Sequence, residues 1–216
     1  MDHTIKMFLK FGSEKDIQDL FDNGAIYLNT IEYFRKLEDK ELRGDIYEGA
    51  TKVINSLPGT IRIPNTDRDI KYEKIHLKIS YDSVLGNLYC LYCISSYGFP
   101  NPFDFMIDKR NLRFGTHCLM IKDNQYFINS IENKLEKEGF KYKHGFIDYY
   151  NKDNVSKDLT LFEKPNEFEY QKEFRFYVYN EKIEPIKIHI GSLHDKAVMY
   201  SMDEIMTLQL KPKINN

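Results

Sequence analysis

Residues 171–179 bring together polar side chains that could do chemistry. Gln171, Glu173 and Arg175 alternate with apolar residues in this segment. In a strand these three side chains share one face, with neighbours about 6.5–7 Å apart. Such a row could line a ligand cleft, with the carboxylate as its reactive group. It could equally be an exposed strand face, where an ion pair contributes at most about 1 kcal/mol.

Two further sets of charged residues are candidates for the same chemistry. Arg43, Asp45 and Glu48 lie in the stretch RGDIYEG, where two glycines permit sharp turns that would bring the charges together. The alternative for this cluster is a solvated turn. Lys10 lies at the end of the first predicted strand and could contact an anionic ligand. Taken alone, it has the properties of a surface lysine.

The elements that must position these residues follow from hydrophobic periodicity and from capping residues. Ser13 predicts the start of a short helix and Gly24 its end, and Asn29 or Thr30 can cap a second helix. The best-defined helix covers 125–139. We expect a hairpin over residues 140–150 that turns at Gly145, and loops over 39–60 and 97–115. The predicted strands cover 4–11, 25–28, 61–63, 72–80, 88–95, 116–123, 169–179, 183–191 and 207–211.

This order of elements predicts the fold class. Strands outnumber helices, and no repeat or linker interrupts the chain, so we expect one α+β domain over residues 1–216. Its sheets should be mixed or antiparallel, with a few short helices.

Composition excludes several classes of protein. The 216 residues are 42% hydrophobic and 30% charged with a net charge of −2, which argues against a broadly basic nucleic-acid binder. No apolar run approaches the roughly 18 residues of a membrane span, and the N-terminus does not resemble a signal peptide. Three cysteines cannot all pair, which favours reduced thiols and a cytoplasmic location. No histidine or cysteine spacing predicts a metal site.

Several segments, taken in order, resemble the bacterial DUF2971 family. The opening FLKFGSEKDIQDLFDNGAIYLNT is similar to its strand, short helix, glycine and second strand. FRKLEDKELRGDIYEGA stands in the place of an acidic, glycine-containing loop. GFIDY and FEKPNEFEYQKEFRF resemble the family's tail, and PIKIHIGSLHDKA resembles its closing strand.

The same order of elements resembles the ADP-ribosyltransferase-like fold. Lys10 occupies the place of a His or Arg on the first strand. Ser95 and Ser96 stand in the place of a central polar motif, and Gln171-Lys-Glu173 in that of a Gln-x-Glu strand. The resemblance implies NAD as the cofactor. Glu173 would be the catalytic carboxylate and Gln171 would position the acceptor.

Breaking the bond between nicotinamide and ribose builds positive charge on the sugar, which a nearby carboxylate stabilises. Lys10 would contact the phosphates or the ribose, Tyr33 or Tyr27 would stack on the nicotinamide, and Ser95 and Arg43 complete the expected cofactor contacts. This interpretation requires Lys10 and Glu173 to line one pocket.

Three functions remain open at this stage. The first is an NAD-dependent ADP-ribosyltransferase that modifies a nucleic acid or a protein, with a possible role as a toxin or in phage defence. The second is a non-catalytic module of the same family that binds a nucleotide or a partner protein. The third is a metal-dependent nuclease-like effector that uses Arg43, Asp45, Glu48 and Glu173.

Overall fold

The computed structural model of the chain describes residues 3–36, 46–101 and 105–209. Strands and helices are numbered below in chain order. The strands are β1 (Ile5–Gly12), β2 (Ala25–Thr30), β3 (Ala50–Ser56), β4 (Gly59–Arg62), β5 (Asp69–Tyr72), β6 (Ile75–Ser80), β7 (Asn87–Ser95), β8 (His117–Ile121), β9 (Tyr142–Phe146), β10 (Asp148–Tyr150), β11 (Lys157–Asp158), β12 (Glu163–Pro165), β13 (Glu173–Val178), β14 (Ile186–His189) and β15 (Ala197–Ser201).

The helices are fewer and short. They are α1 (Glu14–Asn23), α2 (Ile31–Lys36), α3 (Asn124–Lys137) and α4 (Met202–Ile205), with 3-10 helices at Lys109–Phe114 and Asn166–Gln171. The predicted α+β class with a few short helices is therefore confirmed, and the described sheets are antiparallel except for one parallel pair. Among the described residues, no helix combines the length and apolar character needed to cross a membrane.

An eight-stranded sheet organises the molecule. Its path runs β14-β2-β7-β1-β8-β15, and β13 pairs with both β7 and β9. Every pair in this sheet is antiparallel. Three smaller sheets lie outside it among the described residues. One contains β11, β3 and β6, a second contains β4 and β5, and the third is the parallel pair of β10 and β12.

The first helix shows how local sequence builds one wall of the later site. The Ser13 hydroxyl accepts a hydrogen bond from the Asp16 N–H and caps α1. Gly24 ends the helix with a φ of +61°, the left-handed conformation that glycine adopts without a Cβ clash. Ile17 and Leu20 are the buried residues of α1.

The core lies largely on one face of the main sheet. Phe174, Phe176 and Val178 of β13 join it, as the alternation predicted. The buried face of α3 packs into the same cluster through Phe127, Ile131 and Leu135. All three cysteines are free thiols, as expected for reduced side chains.

Two predicted loop and turn assignments are wrong. Residues 50–56, placed in a loop, form β3, which has a register irregularity against β6 between Ala50 and Lys52. The two buried residues of β3, Ala50 and Val53, lie three positions apart, so the segment lacks the alternation of apolar and polar residues from which a strand would be recognised. Gly145 is not a turn but lies inside β9, opposite Arg175. A Cβ at this position would lie 3.7 Å from Cδ1 of Phe162, an ordinary van der Waals contact, so the position is a regular strand position that does not require glycine.

Two predicted strands also differ from the structure. The segment 169–179 is not one strand, because a 3-10 helix extends to Gln171 and β13 begins at Glu173. Lys172 separates the two with a φ of +40°, which no strand can accommodate. Residues 207–209 are not a strand either but follow α4 as a turn and coil, and 210–211 lie outside the described residues.

Candidate functional site

A gap in the main sheet creates the candidate site. β13 covers one edge of β7 from Asn87 to Tyr92. On the opposite edge β1 pairs with residues 92–95 and β2 with residues 87–88. Within the described chain, Tyr89, Cys90 and Leu91 therefore have a strand neighbour on one side only. The chain leaves this edge at the end of β1, forms α1 and returns in β2.

A cavity of about 510 Å³ occupies this gap. Its walls come from the end of β1, from α1, from β2 and from the middle of β7. Its size lies within the roughly 300–1,000 Å³ range of small-molecule sites. The charged and amide side chains that line it are Lys10, Asp16, Asp19, Asn29, Glu48, Asn111, Lys164, Gln171, Glu173, Arg175 and Lys187.

Glu173 and Arg175 are buried, so the interpretation of their strand face as exposed to solvent is wrong. Their exposed fractions are 5% and 1%. Arg175 Nε donates to Glu173 Oε1 at 2.7 Å, and its two terminal nitrogens donate to Glu48 Oε1 and Oε2 at 2.7 and 2.8 Å. This bidentate geometry matches the planar guanidinium fork. The alternative of a solvated turn is thus wrong for Glu48, which is buried.

Lys164 completes the cluster on the other side of Glu173. Its Nζ donates to Glu173 Oε2 at 2.7 Å and to Gln171 Oε1 at 2.9 Å, and lies 4.0 Å from Glu48 Oε2. Two carboxylates and two cations therefore balance within one buried group, as buried charges require. Gln171 belongs to the 3-10 helix and not to the strand, yet Lys164 brings it beside Glu173.

The electrostatics keep Glu173 ionised. Burial acts to raise the pKa of this carboxyl, but the attraction of Arg175 and Lys164 and a hydrogen bond from the Cys90 thiol outweigh it, and the pKa falls to about 2. Burial also raises the pKa of the Cys90 thiol to about 12, so this thiol stays protonated. Glu173 is therefore an anion at neutral pH, and Cys90 is not a thiolate nucleophile.

Lys10 spans the gap between the two separating strands. Its Nζ donates to the Cys90 carbonyl oxygen at 2.8 Å and lies 4.4 Å from the centroid of the Tyr89 ring. Burial lowers the pKa of Lys10, against the opposing attraction of Glu173 and Asp16. An ammonium group has three N–H donors, so contact with Cys90 leaves donors for a ligand. Lys10 and Glu173 line the same cavity, as the transferase interpretation requires.

The other predicted contacts have mixed outcomes. Tyr27, on the outward face of β2, lines the cavity, whereas Tyr33 does not and is 47% exposed, with its ring against Phe34. Ser95 is buried at the far end of β7 and lines a separate cavity of about 330 Å³. The structure therefore does not bring Tyr33 and Ser95 to the main cavity. Arg43 and Asp45 lie outside the described residues.

Sequence reasoning did not select Lys164. It lies in EKP, a short stretch without clear periodicity that becomes β12. The only local signal is a lysine near the Gln-x-Glu pair, and lysines are too common for that spacing to be specific. Among the described residues, no three His, Cys, Asp or Glu side chains are grouped so that they could hold a metal ion.

Comparisons with protein-family models, with curated proteins and with solved structures found no match for this chain. The resemblance to the DUF2971 family and to the ADP-ribosyltransferase-like fold therefore depends on the motifs quoted above and stays a prediction. The functional proposal below therefore depends on the cavity and on the charged residues that line it.

Proposed function

We propose that this chain binds NAD in the main cavity, cleaves its bond between nicotinamide and ribose, and transfers the ADP-ribosyl group to a nucleic acid or a protein. The observation that carries the proposal is that Lys10 and Glu173 line one cavity. The cavity has the volume of a small-molecule site and opens where two strands separate, and Tyr27 adds an aromatic ring to its wall.

The reaction needs a fixed anion beside the sugar. As nicotinamide leaves with the bonding electron pair, positive charge develops on the ribose. Glu173 is suited to stabilise that charge, because its carboxylate is ionised and held from both sides. A carboxylate has about four acceptor positions, and Lys164, Arg175 and the Cys90 thiol use three of them, so a ribose hydroxyl can still donate to the remaining one.

The remaining cavity residues have roles in binding. Lys10 lies next to the Cys90 backbone, and its ammonium form suits a phosphate oxygen, which a lysine binds as a point charge. The acceptor would supply a lone pair to the ribose carbon and release its proton to solvent as the new bond forms. Gln171, next to Glu173 through Lys164, would orient that acceptor.

Release of nicotinamide from labelled NAD tests the proposal. The purified chain is incubated with NAD, with and without a mixture of DNA, RNA and lysate proteins. We expect release of nicotinamide and incorporation of label into one acceptor class. Glu173→Gln should lower the rate by about 10²–10³-fold, as for other preorganised charge-stabilising groups. Glu169→Gln is the matched control, because Glu169 is exposed and pairs with Lys172 outside this cavity.

One observation favours a second function, a nucleotide-binding module without catalysis. Each oxygen of Glu173 already accepts a hydrogen bond from a cation, so the charge of the carboxylate is balanced within the protein. That arrangement also serves a purely structural ion pair. A rise in melting temperature with NAD or ADP-ribose, without release of nicotinamide, would select this function over the transferase.

The nuclease-like alternative has less support. It needs a metal and a tight acidic cluster, but Glu48 and Glu173 are both bound to Arg175. Divalent-metal-dependent cleavage of DNA or RNA, lost in Glu48→Gln, would be needed to establish it. We therefore retain the transferase as the main proposal.

A further inference from the structure

Lys164 occupies the position between the two side chains of the Gln-x-Glu pair. Its ammonium donates to Gln171 Oε1 at 2.9 Å and to Glu173 Oε2 at 2.7 Å. Its side chain is 8% exposed, so the group is directed at protein acceptors rather than at water. One buried cation therefore fixes both residues on which the proposed chemistry depends.

This contact sets the orientation of the Gln171 amide. An ammonium group has only hydrogen-bond donors, so it binds the amide oxygen Oε1. If the amide were flipped, its NH₂ group would face the ammonium, and two donors would then repel each other. Nε2 is then the end that remains for a ligand, and its nearest partner is Tyr170 Oη at 3.4 Å. Gln171 is thereby held as a hydrogen-bond donor.

We propose that Lys164 is a positioning residue that holds Glu173 against the ribose site and presents Gln171 to the acceptor as a donor. The acceptor class follows from this orientation: it carries a lone pair, such as a carbonyl oxygen, a ring nitrogen or a phosphate oxygen, beside its reacting atom. The inference rests on the proposed transferase function and extends it to the choice of acceptor.

Kinetics of Lys164→Met, Lys164→Arg and Gln171→Glu test the inference. Methionine keeps an unbranched side chain and removes the charge and the donors. We expect Lys164→Met to lower kcat for nicotinamide release about tenfold or more with KM for NAD within about twofold, and Lys164→Arg to restore part of the loss. Gln171→Glu still accepts from Lys164 but offers no donor. It should lower the ratio of transferred to hydrolysed ADP-ribose.

Lys152→Met is the matched control, because Lys152 forms an ion pair with Glu167 on the surface nearby. A carbon-13 NMR titration of the Glu173 carboxyl, in the wild type and in Lys164→Met, gives a readout that does not require turnover. We expect the carboxyl to titrate at higher pH in the variant, because one neighbouring cation is gone.

The outcomes separate the two proposals. An active wild type whose kcat and transfer ratio are unchanged in Lys164→Met overturns the positioning role and leaves the transferase intact. A wild type that releases no nicotinamide overturns the transferase, and with it the role in acceptor choice. An unchanged carboxyl titration in Lys164→Met overturns the contact itself.

Discussion

Glu48 and Arg175 lie 127 positions apart in the sequence and form a bidentate ion pair with N–O distances of 2.7 and 2.8 Å. Glu48 precedes β3 of a small sheet, and Arg175 lies in β13 of the main sheet. The pair therefore joins two sheets through the wall of the cavity. Because Arg175 also binds Glu173, the same guanidinium links this junction to the proposed catalytic carboxylate.

Loss of Arg175 should destabilise the fold. Arg175→Met leaves Glu48 and Glu173 buried with one fewer cation, and breaking a buried pair costs about 3–5 kcal/mol of unfolding free energy. Urea denaturation followed by circular dichroism measures the change. Arg110→Met is the matched control, since Arg110 pairs with Asp108 on the surface, and it should cost less than about 1 kcal/mol. Equal losses in the two variants would contradict a structural role for the buried cluster.

Acid should remove the stabilisation that comes from ionised Glu173. Its pKa is lowered in the folded protein from 4.5 to about 2, so this contribution is complete above pH 4.5 and is lost as the pH falls towards 2. Glu173→Gln should therefore be less stable than wild type at pH 6, and the difference should shrink as the pH approaches 2. Urea unfolding at several pH values measures both proteins. A difference that is constant with pH would show that Glu173 is not held as a low-pKa anion.

The two glycines Gly24 and Gly139 both have positive φ but differ in surroundings. A Cβ at Gly24 would lie 2.1 Å from the Gly191 carbonyl oxygen, whereas a Cβ at Gly139 meets nothing within 4 Å. Gly139→Ala should cost about 1–2 kcal/mol, the cost of a left-handed conformation. Gly24→Ala should cost more, because the backbone at the end of α1 must also move. Thermal unfolding of both variants measures which one loses more stability. Equal losses would show that the cost comes from the left-handed backbone conformation alone, without a contribution from the contact with Gly191.

Ser13 and Ser201 both cap helices, but only the helix of Ser13 lines the cavity. Each hydroxyl accepts a hydrogen bond from a backbone N–H in the first turn. Ser13→Ala and Ser201→Ala should each cost about 0.5–2 kcal/mol of stability. Only Ser13→Ala should also weaken NAD binding, because α1 contributes Asp16 and Asp19 to the wall. Calorimetric titration with NAD separates the two, and equal weakening would show that α1 does not shape the site.

Hydrophobic alternation and capping residues were sufficient for much of the fold. The strands β1, β7 and β13 and the helices α1 and α3 could all be predicted, because periodicity and caps act over a few neighbouring residues. β3 was missed because its apolar and polar residues do not alternate. Gly145 was misassigned because glycine favours turns, whereas here it occupies a regular strand position paired with Arg175.

For the site, the sequence by itself determined that Glu173 and Arg175 share a strand face opposite the core, since side chains alternate along any strand. Only the tertiary structure decided that this face is buried, that Glu48 and Lys164 neutralise it, and that Lys10 reaches the same cavity. The physical reason is distance along the chain. Burial and charge pairing depend on which remote segments the sheet order brings together, and a sheet gap between β1 and β2 has no local signature.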